Sequence, residues 1–191
     1  IDFIVNNMGA NGGFGYSGAG DDSHVTSFQV MAIKSAKLAG LDMRKGVFSK
    51  LKRYYDAALD KDFTTGYGIR GVRGNPRSVR TTLGLFCRIF LGVAKKDPKV
   101  QGIATLIDKT GPQIRSPLKT YYGTYGMFQM GGERWKKWNK AFRDAVVAIQ
   151  TKQGRDKGSW PRAGHLPGLV CSTAIRIMSL EVYYRYLPVN K

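Results

Sequence analysis

Four apolar helical stretches, three of them introduced by a glycine–aromatic corner and the third in order by a proline-containing loop, return along this chain at a spacing of about 50 residues. The clearest copy lies between Arg134 and Trp160. There Trp138, Phe142, Ala145, Val146 and Ile149 fall on one face of a helix, and Arg134, Lys136, Lys137, Lys140, Arg143 and Asp144 cover much of the rest. A polar turn then leads to Gly158-Ser159-Trp160 and a further apolar stretch. Such a pattern constrains the fold strongly. One helix pair cannot bury its own apolar face, so neighbouring units must stack and cover one another.

In chain order, residues 1–7 read as the end of a helix, and Gly12-Gly13-Phe14-Gly15-Tyr16 forms the first corner. Thr26 is placed at the start of an inner helix reaching Ala39, with Phe28, Met31, Ala32, Ala36 and Ala39 along one face. Asp42 can cap an outer helix striped by Val47, Leu51, Tyr54, Tyr55, Ala58 and Leu59. The second unit opens with Gly66-Tyr67-Gly68 and continues into an apolar helix over 82–91. Its outer partner starts at Asp97-Pro98, a cap followed by a first-turn proline. Inner helices over 121–130 and 172–186, with an outer helix over 134–150 between them, complete the pattern. The expectation is one all-α repeat domain over 1–191, without strands, forming the C-terminal part of a longer chain.

The segment carrying Phe142, Val146-Val147, Gln150, Gly158 and Trp160 resembles a loosened Gln-Trp repeat of squalene–hopene cyclases, with seven residues between Gln150 and Gly158. Residues 27–40, 83–92, 131–144 and 172–188 look like the prenyltransferase and squalene-oxidase repeat proteins of planctomycete type. This resemblance implies an α/α toroid with inner helices around a central cavity; a chain of this length would be an arc of about three to four helix pairs. It also implies what to look for chemically. The cyclases use a DxDD acid, and His24-Val25 stands where that pair would fall, with Asp21 and Asp22 one turn early. The protein prenyltransferases use an Asp/Cys/His zinc set, and the two His and two Cys here have no metal-ligand spacing. Both departures tip the reading away from an enzyme, and no metal or cofactor is expected.

Several residue groups remain as candidates. On the toroid reading, Phe28, Met31, Phe86, Tyr122, Tyr125, Phe128 and Tyr184 line the centre, where they would hold a polyprenyl or other apolar ligand or else fill a core. Asp21, Asp22 and His24 form an acid–base cluster or, more simply, cap the following helix. His165 reads as a loop residue, and Cys87 and Cys171 as packing residues. Two glycine patterns, at Gly13, Gly15 and Gly18 and at Gly66, Gly68 and Gly71, lack the strand that a dinucleotide site needs and read as repeat turns.

Charge is the compositional outlier. The chain carries 31 Lys and Arg against 13 Asp and Glu, a net +18 over 191 residues. Arg70, Arg73, Arg77 and Arg80 crowd one corner, and Lys152, Arg155, Lys157 and Arg162 another, next to Tyr67 and Trp160. An acidic protein, an anionic membrane surface or nucleic acid could meet such loops, or they could simply be solvated. No apolar run is long enough to span a membrane. These readings combine into a non-catalytic repeat module that binds an anionic partner. The alternatives are a terpene-cyclase-like or prenyl-binding protein with its acids elsewhere, and a nucleic-acid binder.

Overall fold

A computed structural model describes residues 1–163 and 168–185. Helix α1 (Asp2–Asn6) precedes a two-residue hairpin, β1 (Phe14–Gly15) and β2 (Gly18–Ala19), with Phe14 opposite Ala19. The remaining elements are α2 (Ser23–Leu38), α3 (Val47–Ala57), α4 (Val79–Phe90), α5 (Pro98–Thr110), α6 (Pro117–Met130), α7 (Gly132–Ala148), α8 (Gly168–Leu180) and α9 (Val182–Arg185). The protein is all-α apart from the small hairpin, which corrects the expectation of no strand.

The order of packing follows the order of the chain. α4 lies between α2 and α6, and α6 lies between α4 and α8, so α2, α4, α6 and α8 form one row. α3 and α5 pack on α4, and α7 packs on α6 as an outer layer. Residues 81–90 of α4 are all buried, in keeping with a stretch that is apolar on every side apart from Thr81, Thr82 and Arg88. One core joins α2, α3, α4, α6 and α8 through residues such as Ile33, Leu51, Leu83, Phe86, Tyr122 and Ile175. A second core on the other side of α4 joins Leu85 and Ile89 to Val100, Ile103, Ile107, Met127, Trp138, Phe142 and Trp160.

α4 and α6 run parallel at close range. A Cβ at Gly123 would come within 2.8 Å of the Trp138 ring and 3.3 Å of Thr82, and one at Gly126 within 2.8 Å of Leu85. Glycine at both places lets α6 sit close to α4 and α7 together. The sharp reversal from α6 to α7 uses Gly131 and Gly132, at φ 71° and 56°, a region that favours glycine.

Several expected boundaries move, each for a local reason. Asp22 caps α2, as the capping reading of the Asp21, Asp22 and His24 cluster has it, accepting the His24 and Val25 N–H groups at 2.7 and 3.1 Å, and Thr26 falls in the early helix. The predicted inner face of α2 is also rotated: Val30, Ile33 and Ala36 are buried, whereas Phe28 and Leu38 are exposed. Asp42 is exposed and caps nothing; α3 begins after Gly46, whose φ is 84°. Asp97 and Pro98 do open α5, with Lys99 N–H donating to Asp97 at 2.8 Å. The last inner stretch breaks at Glu181 into α8 and α9, and Tyr186 lies outside the described residues.

A hydroxyl near the start of each row helix ties it to the corner before it. Thr26 Oγ accepts the Phe14 N–H at 2.9 Å, and Thr81 Oγ donates to the Asn75 carbonyl at 2.9 Å. Thr120 Oγ donates to the Gln113 carbonyl at 2.8 Å, and Ser172 Oγ to that of Pro161 at 2.7 Å. In the last corner Gln150 Nε2 donates to the Gly158 carbonyl at 2.8 Å, and Trp160 Nε1 to that of Val146 at 2.7 Å. The corner thereby satisfies a carbonyl at the end of α7 that the helix leaves open.

Candidate anion-docking face

The corners and the N-termini of the row helices share one face of the molecule. Ser23 at the start of α2 donates through its N–H to Tyr67 and through Oγ to the Gly66 carbonyl, at 2.6 and 2.8 Å. Lys119, in the first turn of α6, reaches the Pro76 carbonyl at 3.4 Å. Arg176 of α8 donates to the Ile114 carbonyl at 3.3 Å and contacts Pro161 and Ser172. The first turns of α2 and α6 therefore lie against the second corner, Ser172 and Arg176 hold α8 to the third and fourth, and a helix N-terminus carries partial positive charge.

Onto this face project Arg70, Arg73 and Arg77 from the second corner, Arg115 from the third, and Lys152, Arg155, Lys157 and Arg162 from the fourth, all exposed. Arg80 is half-buried, and its guanidinium lies 5.6 Å from the centre of the Tyr67 ring. Arg73 lies 3.6 Å from Asp60. Among the described residues the other cations of the face make no ion pair with a carboxylate. Trp160 is not available for stacking, because its ring is buried and its N–H is engaged; the basic–aromatic neighbourhood is that of Tyr67.

The two carboxylates among the acid–base candidates have structural partners. Asp21 accepts the Ile69 and Arg70 N–H groups at 2.7 and 3.0 Å and so clamps the second corner to the first. Asp22 caps α2. His24 stacks on Phe28 at 5.6 Å and meets Tyr122 edge-on at 6.5 Å, with Nε2 buried and unpartnered. Burial holds the His24 imidazole below its usual value; Asp22 opposes that shift and Arg80 adds to it.

The central aromatics divide. Phe86, Tyr122 and Tyr125 are buried against one another, with ring centres 5.3 and 5.8 Å from Phe86, and Phe90 stacks 4.1 Å from the same ring. They fill the space between helices. Met31 and Phe128 are half-buried, and Phe128 meets Trp135 at 5.3 Å. Phe28 is 51% and Tyr184 85% exposed, so neither faces an enclosed centre: α2 is rotated, and the break at Glu181 leads into a short terminal helix. Cys87 is sealed in the core, where burial pushes its thiol up to about 12, and it is inert.

Three buried cations went unrecognised in the sequence. Arg88 joins α4 to the end of α3 through Asp56 at 2.9 Å and the Tyr55 carbonyl, while Lys99 reaches the same Asp56 at 3.0 Å. Arg176 binds corner carbonyls, as above. Lys119 is 1% exposed, and burial, with Arg77 nearby, pushes its ammonium down to about 8. Their one sequence signal was a cation inside an otherwise apolar or aromatic helical run. Among the described residues no group of His, Cys, Asp and Glu could hold a metal ion, and no helix is long and apolar enough to cross a membrane. His165 lies outside the described residues.

Compared with known proteins, the chain matches no family model, no curated protein and no solved structure.

Proposed function

We propose that this chain is a non-catalytic repeat module of the α/α-toroid type, an arc of helix pairs that docks an anionic partner on its corner face. The row α2–α4–α6–α8 with α3, α5 and α7 outside it supports the arc. One observation carries the function: exposed arginines, of which only Arg73 meets a carboxylate among the described residues, gather at the corners against which α2, α6 and α8 are held. Charge of one sign on one face raises the local concentration of an oppositely charged partner and speeds its arrival. Catalysis finds little support, since Asp21 and Asp22 are spent on corner and cap, and the central rings close on each other. A prenyl ligand would need Phe86, Tyr122 and Tyr125 to part.

The test compares two charge reversals in binding labelled poly-L-glutamate at low salt. Arg70→Glu, Arg73→Glu and Arg77→Glu together are expected to weaken binding about a hundredfold; Lys136→Glu, Lys137→Glu and Lys140→Glu together, about threefold or less. Equal losses would mean that only net charge matters, and the docking face would be withdrawn.

A further inference from the structure

The corner face is not merely cationic. Tyr16, at the tip of the β1–β2 hairpin, is 91% exposed, and Val72, between Arg70 and Arg73, is 74% exposed. Val72 is bound to the aromatic corner itself, since its carbonyl accepts the Tyr67 N–H at 2.9 Å. The hairpin is held next to this corner by the Asp21 clamp on Ile69 and Arg70. Phe3, 81% exposed on α1, lines one cleft together with Tyr16. Apolar tips therefore stand out from a bed of guanidinium groups, on loops that are braced rather than loose.

From this we infer that the anionic partner is a lipid bilayer, with the corner face lying on acidic headgroups and Val72 and Tyr16 entering the headgroup–acyl boundary. The inference rests on the proposed docking function of that face. Arginine and lysine near an acidic leaflet are drawn to its surface potential, but that attraction is screened within a Debye length. An interfacial binder therefore needs a second, apolar contribution, which protruding Val and Tyr side chains supply. Tyrosine suits the boundary because its ring is apolar and its hydroxyl stays wet. Nucleic acid fits less well. Val72 offers no stacking surface to a base, and Trp160, the larger ring, is buried with its N–H engaged.

The experiment is co-sedimentation of the full chain with phosphatidylcholine vesicles, with and without phosphatidylserine, beside binding to poly-L-glutamate and to single-stranded RNA. Of the two kinds of vesicle, only those with phosphatidylserine are expected to bind the chain, which also binds poly-L-glutamate. Val72→Ser with Tyr16→Ser should weaken vesicle binding at least tenfold while leaving poly-L-glutamate binding within twofold. An environment-sensitive dye on Val72→Cys should shift to the blue on those vesicles and not on poly-L-glutamate. Retained poly-L-glutamate binding with no vesicle binding would overturn the membrane inference and leave the anion-docking face standing. RNA binding tighter than vesicle binding and indifferent to Val72 would also overturn it. Loss of all three would defeat the docking face as well.

Discussion

On α7, Lys136 lies 2.7 Å from Glu133 and Lys140 3.4 Å from Asp144, with Arg143 on the same carboxylate at 3.1 Å. Arg134 reaches across to Asp108 of α5, and Lys99 of α5 to Asp56 of α3. On the corner face, Arg70, Arg77, Arg115 and Arg162 have no such partner among the described residues, and Arg73 alone meets a carboxylate, Asp60. The two regions carry charge of the same sign and differ in how it is placed. On α7 every cation but Lys137 is matched within the helical layer, where exposed pairs contribute little to stability, whereas Lys50, Lys52 and Arg53 of α3 and Lys109 of α5 have no ion pair among the described residues. Corner cations stand beside helix N-termini that repel them. Composition alone, the net +18, cannot distinguish these arrangements.

The comparison is sharpened first by a third kind of cation, the buried one. Arg88→Met strips Asp56 of its inner partner and leaves the Tyr55 carbonyl open. A loss of about 2–3 kcal/mol in urea unfolding is expected, without change in poly-L-glutamate affinity. Weakened binding at unchanged stability would erase the line drawn between structural and docking cations.

Lys119 gives a smaller effect with a pH signature. Its folded value of about 8 lies below the ordinary 10.5, so between those values the folded chain binds fewer protons on this group than the unfolded chain. Its contribution to stability therefore rises with pH across that window, and the cost of burying the charge is in full force below pH 8. Lys119→Met is expected to be neutral or stabilising by about 1–2 kcal/mol at pH 7 and to flatten that rise. An unchanged pH profile would count against a buried ammonium.

Asp21→Ala removes the clamp on the Ile69 and Arg70 N–H groups. It should cost about 1–2 kcal/mol of stability and lower poly-L-glutamate affinity severalfold, with helix content by circular dichroism intact. Affinity equal to the parent chain's would mean that the second corner holds its shape without the first. The smallest effect belongs to the outer layer: Lys140→Met, which removes one exposed pair with Asp144, should move stability by less than about 0.5 kcal/mol.

Helices were legible in the sequence because their faces are periodic. Trp138, Phe142 and Val146 are buried as their spacing requires, and Asp97-Pro98 marks a real start. Glycine–aromatic corners were legible as well, because Gly66-Tyr67 and Gly158-Ser159-Trp160 break that periodicity. Local pattern could not reveal rotation about a helix axis. α2 is apolar over much of its circumference, and its buried face was decided by the neighbours Val30 and Ile33 meet, which left Phe28 outside. Nor could it reveal partners distant in sequence: Asp21 with Ile69, Arg88 with Asp56, and Lys119 with Pro76 all join separate units. The same limit hid the character of the docking face. Its arginines were visible as a cluster, but the exposure of Tyr16 and Val72 beside them follows from how the hairpin and the second corner are braced together.

The most direct test of a docking face built from corners is hydrogen–deuterium exchange of the full chain, alone and saturated with poly-L-glutamate. Amides over 66–80 and 151–162 are expected to slow on binding, with those of α7 unchanged. Protection concentrated on α7, or spread evenly over both regions, would contradict it.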